Sequence, residues 1–137
     1  MPISESLQRA WLETEYRVRL RQGGYAVIHI GAPLSPALRG FLRNEKEPWG
    51  FITAWNPNAR RESREINRAR QRELLDALSA SSARCRAGTG VGKKWREPSL
   101  FVTGLGFDAL DALARHFGQA ALVRGVGLGI AELRELD

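Results

Sequence analysis

The side chains best suited to chemistry in this chain are polar ones set where apolar ones belong. Glu97 is the one carboxylate between Asp76 and Asp108, and it follows the basic run Lys93-Lys94-Trp95-Arg96. A carboxyl in that setting suits general acid–base work once its pKa is raised towards neutrality. It suits equally a buried ion pair, for which Arg70 is the natural partner. The segment from about Arg60 to Ser81 has the spacing of a long helix. At about 100° per residue with Ile66 at zero, Ala77 falls at about 20°, Leu74 at about 80° and Leu78 at about 120°, which predicts the buried face. Arg70, at about 40°, and Asn67, at about 100°, fall inside that stripe, whereas Arg61, Arg68 and Arg72 lie on the opposite side. A buried amide or guanidinium without partners is costly, so Asn67 and Arg70 must meet polar groups inside or line a pocket.

Candidate partners sit at strand ends, where ligands collect in sheets with helices packed on them. Thr53 and Asn56 flank Trp55 where a central strand stops, Glu97 precedes the strand opened by Pro98, and Gln119 follows Gly118 at the start of another. Thr53, Asn56, Asn67, Arg70, Glu97 and Gln119 are therefore expected to form one cluster, a ligand site or a buried structural network.

The tract Ala87-Gly-Thr-Gly-Val-Gly-Lys-Lys94 nearly spells a phosphate-binding P-loop. That motif needs a helix directly after the lysine and a hydroxyl for magnesium. Lys94 replaces the hydroxyl, the tract starts on Ala, and Pro98 leaves little room for a helix. A glycine-rich hairpin with Lys93 and Lys94 at its tip is the expectation, still able to touch a phosphate. His29 alternates within an apolar strand and reads as a packed core residue; His116 suits the end of a helix, where a cation meets the dipole. One cysteine, Cys85, and two histidines give no metal-ligand spacing, so no metal site and no cofactor are expected. Trp49, Trp55 and Trp95 are either core residues or platforms for stacked bases.

The elements that must position these residues follow from periodicity. Ser4 to about Glu15 reads as an amphipathic helix, and Tyr16–Arg21 alternates as a strand with one wet face. Gln22-Gly23-Gly24 turns it into a second strand, Tyr25–Ile30. Pro33 and Pro36 open a short helix to Leu42, and Trp49–Trp55 is the central strand, stopped by Asn56-Pro57-Asn58. After the long helix come a weak strand at 84–91, a strand at 99–103, a helix over 108–117 capped by Gly118, a strand over 119–124 and a last short element over 130–136. The fold class expected is α+β, one compact domain with a mixed, mostly antiparallel sheet and helices packed on it. Residues 1–137 are taken as that single domain, with an N-terminal helix in 1–15 and a core over 16–136.

The composition, 43% hydrophobic and 26% charged over 137 residues, excludes a disordered chain, a collagen-like repeat and a disulfide scaffold. No apolar run approaches the ~20 residues a membrane span needs, and the first residues do not read as a secretion signal. A lone cysteine fits a reducing compartment, so a cytoplasmic location is expected. The net charge of +6 is unevenly spread: eleven Lys and Arg against four acids fall between Pro57 and Arg96, and the rest of the chain is close to neutral. Such clustering is the footprint of an anionic partner, nucleic acid or another polyanion, or else a solvated helix face.

Thr53-Ala-Trp-Asn-Pro57, Glu65-Ile-Asn67, Glu97-Pro-Ser99 and Phe117-Gly-Gln-Ala120 together resemble a bacterial domain-of-unknown-function family, number 3293, over about Tyr16 to Glu132. The resemblance implies a small single-domain bacterial protein and no assigned activity. Its motif polar residues fall on Thr53, Asn56, Asn67, Glu97 and Gln119; Arg70 and the lysine tip are not among them. Three functions fit the residues. The first is a binding module for an anionic partner, nucleic acid or a nucleotide, attracted by Arg60, Arg61, Arg64, Arg68, Arg72, Lys93 and Lys94. The second is an enzyme on a small polar or phosphorylated substrate, with Glu97 as acid/base, Asn56, Asn67 and Gln119 as orienting donors and Arg70 as anion clamp. The third is a structural or regulatory interaction domain whose polar cluster is a buried network. The residues leave the oligomeric state open.

Overall fold

Alternation of apolar and polar residues builds a sheet with two covered faces. The computed structural model describes residues 4–136, and its strands are β1 (Glu15–Arg19), β2 (Tyr25–Ile28), β3 (Pro48–Ile52), β4 (Arg84–Val91), β5 (Arg96–Thr103), β6 (Ala121–Val126) and β7 (Glu132–Glu135). They form one seven-stranded sheet in the order β2-β1-β4-β5-β3-β6-β7, every pairing antiparallel. The sheet curls: past β2, Gly31 N–H donates to Ala131 O at 2.8 Å, and Ala131 N–H donates to Ala32 O at 2.9 Å, so the two edges meet just before β7.

Inside the curl pack Tyr16, Val18, Ile28, Leu38, Trp49, Phe51, Phe101 and Val123. On the outer face Ile52, Leu100, Val102 and Leu122 receive the helices α2 (Arg64–Ser79) and α3 (Phe107–His116) through Leu74, Leu78, Leu110 and Ala114. A first helix, α1 (Glu5–Glu13), precedes β1 and buries no residue fully. It is tied down by Tyr16, whose hydroxyl donates to Trp11 O at 2.7 Å, and by Gln8, whose Nε2 donates to Glu135 Oε1 at 2.9 Å. No described helix is long and apolar enough to cross a membrane. The protein is thus an α+β domain, its sheet antiparallel wherever it is described.

The start of the long helix, its buried face and His29 differ from expectation, whereas the segment at 84–91, weak in pattern, is the strand expected there, eight residues long. Its glycines make room for neighbours: a Cβ at Gly88 would stand 2.7 Å from Arg17 O and 2.8 Å from the Phe51 ring. The long helix starts at Arg64, where Ser63 Oγ accepts from Ile66 N–H at 3.2 Å, and the four residues before it belong to a capping loop. Its buried face is centred on Asn67, Leu74 and Leu78, whereas Ile66 and Ala77 are exposed. Rotation of the helix by less than one residue step turns the face away from Ile66, because the loop after β3 bonds Asn67. His29 is exposed, as it follows β2 where the chain leaves the sheet.

Candidate functional site

The antiparallel order brings the ends of β3 and β4 and the starts of β1, β5 and β6 to one end of the sheet. The chain that leaves β3 there turns through left-handed backbone at Asn56, Asn58 and Ala59, with φ of 47°, 61° and 57°. Such conformations are unfavourable for residues with a Cβ and persist only where surroundings impose them. Asn67 imposes this one. Its Oδ1 accepts from the Asn56 N–H at 2.8 Å, and its Nδ2 donates to Asn56 Oδ1 at 2.8 Å and to Glu62 O at 3.3 Å. Asn56 Oδ1 also accepts from Glu62 N–H at 3.0 Å. Gly118, at φ 71°, accepts from Asn58 N–H at 2.7 Å and closes the loop from the other side.

The remaining donor of Asn56, Nδ2, reaches Glu97 Oε1 at 3.2 Å. Glu97 and Asn67 are therefore joined through one asparagine side chain. Burial pushes the Glu97 carboxyl up from its ordinary 4.5 to about 7, and the Asn56 hydrogen bond offsets only part of that rise. Oε2 of Glu97 accepts no hydrogen bond within the described residues, yet it is not sealed from solvent. Across the sheet, the Tyr16 hydroxyl is raised by burial, eased by Thr14 and raised again by the Glu97 charge.

Around this carboxyl opens a cleft of about 1580 Å³, bordered by α1, α2 and the β4–β5 hairpin. Arg61, Arg64, Arg68 and Arg72 line one wall; Lys93, Lys94 and Arg96 line the other. Of these seven, only Lys93 has a carboxylate partner among the described residues, Glu13 at 3.9 Å. Trp11, Trp55 and Trp95 are partly exposed in the same cleft. Glu62 and Glu97 are the acids that border it.

The structure thus brings Asn56, Asn67, Glu97 and Gln119 to the cleft, with Gln119 Nε2 donating to Trp55 O and Phe117 O, both at 3.2 Å. Thr53 lies behind the wall: its hydroxyl donates to Pro98 O at 2.7 Å and accepts from Trp55 N–H at 3.0 Å, pinning β3 to β5. Arg70 stands apart from Glu97, its guanidinium 5.8 Å from the centre of the Phe117 ring. Its Nε is buried without a partner among the described residues. Arg60 is exposed outside the cleft. The glycine tract runs up β4 into a turn closed by Gly92 N–H to Trp95 O at 2.9 Å, with both lysines exposed and no helix following, which excludes P-loop geometry. Sequence reasoning missed Gln71, whose Oε1 accepts from Ala54 N–H at 2.9 Å, and missed Trp11 and Arg96. Gln71, at about 140° on the helix wheel, lies next to the Asn67–Leu78 arc and was legible there.

A family model described as protein of unknown function (DUF3293) matches residues 52–122, just over half of the chain. The chain belongs to that family. The match runs from the end of β3 into β6, a shorter span than the resemblance drawn from Tyr16 to Glu132. It contains the capping loop, Asn67, the lysine-tipped hairpin, Glu97 and Gln119. No curated protein and no solved structure matches the chain.

Proposed function

We propose that this DUF3293 protein binds single-stranded nucleic acid in the cleft. One observation carries the reading: seven cations and three partly exposed tryptophans border the same open cleft. Cations that track a backbone, combined with aromatic platforms for bases, are the usual means of holding a single strand. A lone cysteine fits residence in the cytoplasm. The test is quenching of tryptophan fluorescence by a short oligonucleotide over a salt series. About five phosphate contacts should weaken binding roughly 100-fold between 50 and 200 mM salt. No quenching, or no salt slope, removes the reading.

Acid–base chemistry on a small phosphorylated substrate is a second reading, favoured by a Glu97 carboxyl held near half-ionised at neutral pH. It ranks below binding because the donors meant to orient a substrate are spent. Asn56, Asn67 and Gln119 bond one another, Glu97 and the backbone, and Arg70 stands on Phe117. It requires turnover of an activated phosphodiester with a midpoint near pH 7 that Glu97→Gln abolishes; absence of turnover removes it. If Glu97→Gln altered thermal stability alone, the cluster would be the scaffold of an interaction domain.

A further inference from the structure

We propose that the cleft reads guanine: the base stacks on the Trp95 indole and presents its N1–H and N2–H to the Glu97 carboxylate. The proposal rests on the single-strand reading above and adds a base preference to it. Register supplies the placement. Gly90 of β4 lies opposite both Tyr16 of β1 and Glu97 of β5, so these three positions form one row on the inner face. Gly90 has no side chain, and the six-membered ring of Trp95 fills the space above it, with ring atoms 3.4 and 3.7 Å from where a Cβ would stand. The indole therefore rests on backbone between Tyr16 and Glu97, and both Trp95 and Glu97 border the cleft. A ring so seated at the border of the cleft has the chemistry of a stacking platform.

Beside that platform, Glu97 Oε1 holds Asn56 Nδ2, while Oε2 accepts no hydrogen bond among the described residues and is not fully sealed from solvent. A carboxylate repels phosphate, which goes instead to Arg64, Arg68, Lys93 and Lys94. The part of a nucleotide that meets Glu97 must offer N–H donors. Guanine alone offers two adjacent ones on its Watson–Crick edge, matched to two carboxylate oxygens. Adenine and cytosine set an acceptor nitrogen beside their amino group, and uracil sets carbonyls on both sides of its one N–H. The groups that face this carboxyl are the Tyr16 hydroxyl from β1, Asn56 from the capping loop, Glu62, and the cations of both walls. With its pKa near 7, the carboxyl is ionised and accepts twice at pH 8, and less so at pH 6.

The test titrates the full chain with hexanucleotides UUXUUU, where X is guanosine, inosine, adenosine, cytidine or uridine, at fixed salt and at pH 8 and 6. The guanosine hexamer should bind about tenfold tighter than the uridine hexamer at pH 8. Inosine, which lacks N2–H, should lose most of that gain, and the preference should shrink at pH 6. Glu97→Gln keeps an acceptor for Asn56 and should bring the guanosine hexamer down to the uridine affinity. The inosine comparison, made on the unaltered chain, stands even if that variant folds poorly. Equal binding of all five hexamers, or preference for another base, overturns guanine readout and leaves the cleft reading intact. Absence of binding to any of them overturns both.

Discussion

Asn67→Ala is the substitution that isolates the network from everything else in the protein. Asn67 is 2% exposed and holds three hydrogen bonds, two of them at 2.8 Å to Asn56. Each buried hydrogen bond contributes about 1 kcal/mol net, and an orphaned buried N–H costs roughly 1–3 kcal/mol more. The orphan here is the Asn56 N–H, on a left-handed residue otherwise held only through its side chain, by the Glu62 N–H and by Glu97. Water entering from the cleft recovers part of the loss. The expected destabilisation is therefore about 2–3 kcal/mol, or roughly 10 °C in Tm for a chain of this size. Urea denaturation measures it, with an unchanged m-value showing that the unfolded state is not the cause. A second readout follows one bond further on. Once Asn56 is released, Glu97 loses its hydrogen-bond donor, and its carboxyl should titrate above its present value of about 7. Side-chain carboxyl NMR reads this directly. A loss below about 0.5 kcal/mol with no change in the Glu97 titration would refute the idea that Asn67 sets the loop.

Glu97→Gln should respond to pH with a sign opposite to that of a salt-bridged acid. Its carboxyl pKa is raised in the fold from 4.5 to about 7, so the folded state binds the extra proton, and stability falls as pH rises through that window. The variant lacks this penalty and should be the more stable protein at pH 8, by on the order of 2 kcal/mol, with the advantage gone at pH 4.5; thermal melts across pH check it. Gly118→Ala places a Cβ 2.9 Å from Pro57 Cβ at φ 71°, and should cost about 1–3 kcal/mol and loosen the capping loop, seen as faster amide exchange at Asn58. Arg68→Ala and Arg72→Ala should each lower the slope of log affinity against log salt by about 0.7, with melting temperature unchanged, as expected of exposed side chains.

Much of this arrangement was legible in the residues, for reasons that also mark where legibility ends. Tyr16-Arg-Val-Arg shows its alternation because one face is buried in the curl, and β1 and β2 form where that pattern places them. Asn67 stood out because an amide in a leucine stripe has no apolar explanation, and the helix does bury it. Helical arithmetic cannot fix the rotation of a helix whose apolar residues span a wide arc. The wheel sets Ala77 inward, yet it is exposed, and the face turns towards Asn67 and Gln71, which bond the loop after β3. The strength of β4 was hidden because its glycines serve neighbours distant in sequence, Phe51 and Trp95. Arg70 was sent to Glu97 on charge alone, and nothing local revealed that Asn56 would take that place.

The energetics of the cleft argue against its being a by-product of folding. A leucine at position 67 would continue the stripe of Leu74 and Leu78, leaving the Asn56 N–H unpaired unless the loop after β3 changed with it, and a glutamine at 97 would keep the Asn56 bond without a buried charge. The chain instead carries, at or beside one cleft, a desolvated carboxyl, a loop with three left-handed non-glycine residues and a wall of arginines without carboxylate partners among the described residues. Each is unfavourable to the isolated fold: the first two by burial and by backbone strain, the third by mutual repulsion. On the single-strand reading proposed above, these terms are relieved by what enters the cleft. An anion with stacking rings relieves the arginines, and a base with N–H donors relieves the carboxylate, so binding and stability should rise together. The melting temperature of the protein should therefore climb with a saturating guanosine hexamer by more than with a uridine hexamer.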